Sequence, residues 1–260
     1  MARGTRPISE IDSKLVISEF LPDVTLPVVQ SYALINGKQS LKLNSAKLVR
    51  AAIMQLEKGD SGFKPYIITV KEISRMLNIS ASNTYRDIDS ITDDIIKNPV
   101  EIKQSLPNGK EKWIKVPWVS RCEYNSDIGL LIRLNDDLAP LLLNLQEFMS
   151  QYPYEEIAEM RSVYSIRIFE LLMSRIKTEK EKVQNCTIAI TLQEIREACD
   201  CVDLYSEYSN LKLRVIDPAV EDINKNTSCL VTYRCLKAGR KVAALEFNII
   251  SKDSVIETDT

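Results

Sequence analysis

The sequence predicts an α+β chain made of two tandem copies of one unit: a short helix, a turn, a longer helix and a β-hairpin. Three observations predict it. Residues 93–98 (DDIIKN) align with residues 221–226 (EDINKN) at an offset of 128, and the same offset places Ile88 on Ile216 and Arg86 on Arg214. Residues 68–73 (ITVKEI) align with residues 190–195 (ITLQEI) at an offset of 122, so each copy carries a Thr-x-x-Glu capping box, Thr69/Glu72 and Thr191/Glu194. A hairpin pattern then follows each longer helix. A period of roughly 120 residues is too long for a solenoid repeat and marks tandem domains. The element order is that of a winged helix, whose longer helix can enter a DNA major groove. A plain helical hairpin would explain one copy; two copies, each followed by a basic hairpin, favour DNA binding. The predicted division is residues 1–150 for the first winged-helix domain, 151–252 for the second and 253–260 for a disordered tail.

Composition bounds the chemistry. The 260-residue chain is 45% hydrophobic, enough for two cores. No apolar run approaches the roughly 18 residues of a membrane span. The first twelve residues hold no apolar segment, so no signal peptide is expected. The six cysteines then read as reduced thiols of a cytoplasmic protein. The absence of histidine removes Ser-His-Asp and Cys-His triads, Cys₂His₂ zinc sites and the two-histidine metal centre of tyrosine nickases. No C-x-x-C pair occurs either, so no metal or cofactor is expected. The net charge of −2 argues against a non-specific polyelectrolyte binder. Specific binding needs only a local basic face.

In chain order, Pro22 and Pro27 interrupt any helix in residues 14–35. Residues 44–58 (NSAKLVRAAIMQLEK) place Leu48, Val49, Ala52, Ile53 and Leu56 on one helical face, with Asn44 or Ser45 as cap and Gly59 as stop. A short strand over 66–69 enters the first capping box. A helix over 70–77, a turn at 78–80 and a helix from about 82 to 97 follow. On the longer helix Ile88, Ile91, Ile95 and Ile96 are assigned to the core, and Asn83, Thr84 and Arg86 to groove contact. Residues 100–104 and 112–124 read as strands about the Asn108-Gly109 turn, and 129–134 as a third; together they form the first wing. Trp113 and Trp118 are expected to pack on this sheet. Residues 135–151, rich in leucine, read as a helix for the core or a dimer seam.

The second unit opens with an apolar helix over 161–176, then a charged loop over 178–185 and a strand over 186–190 leading into the second box. The longer helix, within residues 205–226, buries Leu211, Val215, Ile216, Val220 and Ile223. It projects Tyr208, Ser209, Asn210, Lys212 and Arg214. Asp217-Pro218 should kink it or start a fresh helix with Asp217 as cap. Strands over 230–235 and 242–250 enclose a Gly239 turn whose Lys237, Arg240 and Lys241 can hold phosphates.

With these residues assigned, the chain resembles the replication initiator proteins of iteron-containing plasmids, the Rep_3 (initiator RepB-like) family. Residues 161–174 (RSVYSIRIFELLMS) look like its Ser-x-Tyr-x-hydrophobic-Arg helix. Residues 211–224 (LKLRVIDPAVEDIN) resemble its Arg-Val-Ile-x-Pro-Ala helix, and residues 239–242 its Gly-Arg-Lys wing. The first unit departs from the pattern: residues 45–56 read SAKLVRAAIMQL where the family often has Glu-Gln-Arg. The resemblance implies two winged helices binding double-stranded DNA at direct repeats of a plasmid origin. It also implies monomers that initiate, dimers that repress the protein's own promoter, and recruitment of the host initiator and replicative helicase. A winged-helix transcriptional repressor without a replication role is the alternative. A nuclease reading would use Glu101 or the Asp93-Asp94 pair, but Asp94 recurs as Asp222 and so reads as a structural position.

Overall fold

The computed structural model describes residues 17–79, 84–176, 178–179, 182–183 and 185–256. The first half runs β1 (Ser18–Glu19), β2 (Pro27–Ser31), α1 (Tyr32–Asn36), α2 (Leu43–Ile53), β3 (Tyr66–Ile68), α3 (Val70–Leu77), α4 (Thr84–Lys97), β4 (Val100–Ser105), β5 (Glu111–Val116), β6 (Val119–Asn125) and β7 (Gly129–Leu134). Helix α2 is shorter than its apolar pattern, and neither Asn44 nor Ser45 caps it. Lys42 holds the cap position without a side-chain bond, and its N–H donates instead to Asp94 Oδ2 at 2.9 Å. Helix α3 opens on the predicted box, with both halves formed between Thr69 and Glu72. Asn78 ends it in the left-handed region, which asparagine tolerates better than most residues. On α4, Ile88, Ile91 and Ile95 are buried. Ile96 is not: it lies 100° past Ile95 and is 54% exposed.

The expected single wing divides in two. Pro117 has no N–H to give a ladder, and the chain leaves one strand there and begins the next at Val119. Strands β4 and β5 form their own ladder, while β6 and β7 form the first wing within a sheet ordered β1-β3-β7-β6. Trp118, at the break, is fully buried. Trp113 faces solvent, 63% exposed, contrary to the expected packing on the sheet. Gly129 starts β7 at φ +131, where a Cβ would stand 2.2 Å from the Ile68 carbonyl oxygen. Only glycine lets the wing lie against β3 here.

Residues 135–151 are not one helix. They give a 3₁₀ turn (Asp136–Leu138), α5 (Ala139–Leu142) and β8 (Met149–Pro153). Pro140 permits only a helix start, and Asn144 and Phe148 take positive φ, which ends any continuation. Strand β8 pairs with β2. Leu138 and Leu142 are buried as expected, whereas Phe148 is 75% exposed with its ring edge-on to Tyr32.

The chain continues through α6 (Glu155–Ala158) and α7 (Val163–Met173), which Ser162 caps and whose residues 165–173 are all buried. In place of a charged loop, β9 (Thr178–Glu179) pairs with β10 (Lys182–Val183). Then come β11 (Cys186–Thr191), α8 (Leu192–Ala198) with its complete Thr191/Glu194 box, α9 (Tyr208–Leu211), a π-helical turn (Lys212–Ile216), α10 (Asp217–Asn226), β12 (Cys229–Ala238), β13 (Lys241–Ser251) and α11 (Lys252–Ile256). The strands form a sheet ordered β11-β13-β12.

Pro218 neither breaks the helix nor makes Asp217 a cap. From Tyr208 to Asn226 the backbone is helical throughout, and the Asp217 N–H donates to the Lys212 carbonyl five residues back. In a regular α-helix the Pro218 ring would strike the carbonyl of Arg214. The wider π turn relieves that clash. Instead of capping, Asp217 accepts from Lys212 and Tyr233. The expected disordered tail begins as helix α11, where Lys252 Nζ donates to the carbonyls of Asn224 and Thr227 at 2.6 Å each.

Candidate nucleic-acid interface

The two helix-turn-helix units match at the level of single hydrogen bonds. In α4, Asn98 Nδ2 donates to the carboxylate of Asp94, whose other oxygen accepts the N–H of Lys42 ahead of α2. In α10, Asn226 Nδ2 donates to Asp222, whose other oxygen accepts the N–H of Arg161 ahead of α7. The repeated Asp-x-x-x-Asn thus stitches α4 to the start of α2 and α10 to the start of α7. A buried carboxylate receiving N–H donors positions the helix, and both Asp94 oxygens are engaged in this way. Glu101 is likewise engaged, 3.2 Å from Lys115 Nζ across the β4–β5 ladder. No group of Cys, Asp and Glu that could hold a metal ion occurs among the described residues. No helix among them is long and apolar enough to cross a membrane.

The groove-facing candidates fall on both long helices. Asn83 lies outside the described residues, and Thr84 is the first residue of α4. Arg86 is exposed on its first turn, 3.9 Å from the Asp87 carboxylate. In the second unit Ser209 and Asn210 are exposed. Arg214 is exposed too, and its side chain has no hydrogen-bond or ion-pair partner among the described residues. Lys212 and Tyr208 differ from the expected outward projection. Lys212 Nζ lies 2.5 Å from Asp217 Oδ2, and this contact raises the lysine's pKa. Burial pushes Asp217 up, but hydrogen bonds from Lys212 and Tyr233 outweigh it and hold the carboxyl below its usual range. Tyr208 is half-buried because its hydroxyl turns 3.0 Å from Cys235 Sγ on β12, bracing the helix on the wing. The wing tip carries Lys237, Arg240 and Lys241, all exposed about Gly239 at φ +64.

Two residues were missed by the sequence reading. Tyr85, 69% exposed, and Leu213, 62% exposed, are large hydrophobic side chains on the long helices, each next to its arginine. They are related by the same offset of 128 that pairs Arg86 with Arg214. Extending that alignment by one residue would have found them. Tyr85 also leans on Tyr124 of the first wing, ring centroids 5.5 Å apart.

A buried ionic cluster joins α2 to α7. Arg50 on α2 donates twice to Glu170 on α7, at 3.0 and 2.9 Å, and once to Gln39. Arg167 adds a 2.8 Å contact to Glu170 and donates to the carbonyls of Ile35, Gly37 and Ala198. Tyr152 and Gln30 complete the shell. Burial would push Glu170 up, but the two guanidinium groups outweigh it and bring the carboxyl to about 2.

Residues 27–173 match the family model described as "Initiator Replication protein, WH1", and residues 191–249 match "Initiator Rep protein, WH2". The chain belongs to the initiator replication protein family. It comprises two winged-helix domains. A "Replication initiation protein" of Escherichia coli is 26% identical over 181 residues, covering 70% of this chain and 54% of that protein. The chain therefore spans about half the length of this curated relative. Among solved structures, the Pi initiator protein in complex with iteron DNA superposes with a TM-score of 0.70 at 15% identity. That match covers 88% of this chain and 98% of the other, a likeness of fold.

Proposed function

We propose that this initiator-family chain is a two-headed, sequence-specific reader of double-stranded DNA. It binds direct repeats at a plasmid origin to initiate replication, represses its own gene, and has no catalytic step of its own. The observation that carries this reading is the doubled helix-turn-helix with an exposed arginine at the equivalent position of each long helix, Arg86 and Arg214. The iteron DNA held by the structurally similar Pi initiator supports it.

In this reading the first head is residues 1–150 and the second 151–252. The Asp222 bond to Arg161, twin of the Asp94 bond to Lys42, supports grouping α7 with the second head, although the first family match extends to residue 173. The second head dominates affinity. Its wing tip carries three cations, whereas the first wing turns through Asn125, Ser126 and Asp127 with none. Lys237, Arg240 and Lys241 hold phosphates, and Arg214 reads a base edge, most simply guanine in a bidentate contact. In the first head Asn83, Thr84 and Arg86 make the weaker contacts.

Fluorescence anisotropy on DNA from upstream of this protein's own gene tests the reading. Wild type should bind selectively over random DNA. Arg214→Ala should lose about 1–3 kcal/mol, roughly five- to 150-fold, and relax selectivity at one base pair. Selective binding that survives Arg214→Ala unchanged would mean the groove face is elsewhere. Absence of binding at low salt would refute DNA recognition. Tandem direct repeats in the bound DNA fit initiation, and a lone inverted repeat fits a repressor.

A further inference from the structure

The π turn places a carboxylate on the groove side of the second long helix. In a regular α-helix residues five apart point roughly 140° away from each other. Here the turn closes through the bond from the Asp217 N–H to the Lys212 carbonyl, so the two side chains lie one above the other. Their charged ends meet at 2.5 Å while both side chains stay about 40% exposed, 44% for Lys212 and 40% for Asp217. Tyr233 of the wing fixes the other carboxylate oxygen at 2.5 Å. A carboxylate on a phosphate-facing surface opposes general affinity. Pairing with Lys212 cancels that lysine as a free phosphate ligand. What remains is one fixed acceptor beside one fixed donor set, held by the helix and the wing together.

We propose that Asp217 is a specificity-determining residue of the second head: paired with Lys212, it reads a G·C base pair and suppresses non-specific DNA binding. The inference rests on the two-headed DNA reading. Lysine donates to guanine O6 and N7, and a carboxylate accepts from cytosine N4. The π turn and Pro218 are then part of the reading device, since they create the register that joins the two side chains.

The test uses the full-length chain on the same upstream DNA, with every base pair of the site replaced in turn and random DNA as competitor. Wild type should lose roughly tenfold in affinity when one particular G·C pair becomes A·T, the scale of a single good base contact. Asp217→Ala should lose most of that discrimination and bind random DNA more tightly. Its salt dependence should steepen by about 0.9, the increment for one further phosphate contact made by the released Lys212. Asp217→Asn should shift preference at that pair toward adenine, which asparagine reads bidentately. Tyr233→Phe removes the hydroxyl that tethers Asp217 and also bonds Tyr208, and should move discrimination the same way by a smaller amount. An unchanged base-pair profile in Asp217→Ala, or equal losses on cognate and random DNA with an unchanged salt slope, would overturn the proposal. Wild type without any sequence preference would instead overturn the DNA reading itself, and this inference with it.

Discussion

Leu213 and Tyr85 show how a residue can be visible in the alignment yet pass unnoticed. The sequence pattern marks cations and amides on the long helices as groove candidates and assigns hydrophobic residues to the core. Most obey: Leu211, Val215, Ile216 and Ile223 are fully buried. Leu213 does not, because it lies on the solvent side of the π turn beside Arg214. In the proposed reading Arg214 faces the groove, and a large apolar side chain held beside it is suited to a thymine methyl group. Leu213→Ala should therefore weaken binding to the cognate repeat by about 1 kcal/mol, roughly fivefold, the scale of partial burial of one aliphatic side chain. Its salt slope should not change, since no charge is involved. Replacing the contacted thymine by deoxyuridine should reproduce the loss in wild type and add nothing in the variant. Full additivity of the two changes would place Leu213 away from any thymine methyl.

At the scale of elements, what was legible was what short-range chemistry dictates. The two capping boxes, the buried faces of the long helices apart from exposed Ile96 and partly buried Val220, and the Gly239 hairpin are set by neighbours a few residues away, and they stand where the pattern placed them. What was not legible depends on partners distant in sequence or on competing local terms. Helix α2 begins at Leu43, after Lys42 is anchored through its N–H to Asp94, 52 residues on. The leucines of residues 135–151 are spaced for a helix, yet Pro140 and the positive φ of Asn144 decide otherwise. The π turn resolves a conflict that the sequence states but cannot arbitrate. Pro218 demands a break, whereas Val215, Ile216, Ala219 and Ile223 demand one continuous buried face. Widening one turn satisfies both. The basic residues of the candidate interface were legible as residues. The engagement of Lys212 by Asp217 was not, because at α-helical spacing the two would not meet.

For the whole molecule, the Arg50–Glu170–Arg167 cluster ties α2 to α7, and Arg167 also reaches the Ala198 carbonyl at the end of α8. All three side chains are essentially inaccessible to solvent. Removing one member leaves an uncompensated buried charge, so Glu170→Ala should cost about 3–5 kcal/mol in urea unfolding. The folded-state pKa of Glu170, about 2, lies below its ordinary value of 4.5. Its contribution is therefore fully present above pH 4.5 and is lost as the pH falls toward 2. Wild-type stability should decline across that window, and Glu170→Gln should flatten the decline. In the proposed reading, a fixed relation between heads lets both read one repeat at once. Guanine-N7 methylation protection on the upstream repeat DNA measures this directly. The account predicts two protected patches about one helical turn apart, roughly 10 base pairs, one lost in Arg86→Ala and the other in Arg214→Ala. A single patch, or two patches that both vanish in Arg214→Ala and both survive Arg86→Ala, would contradict a two-headed reader.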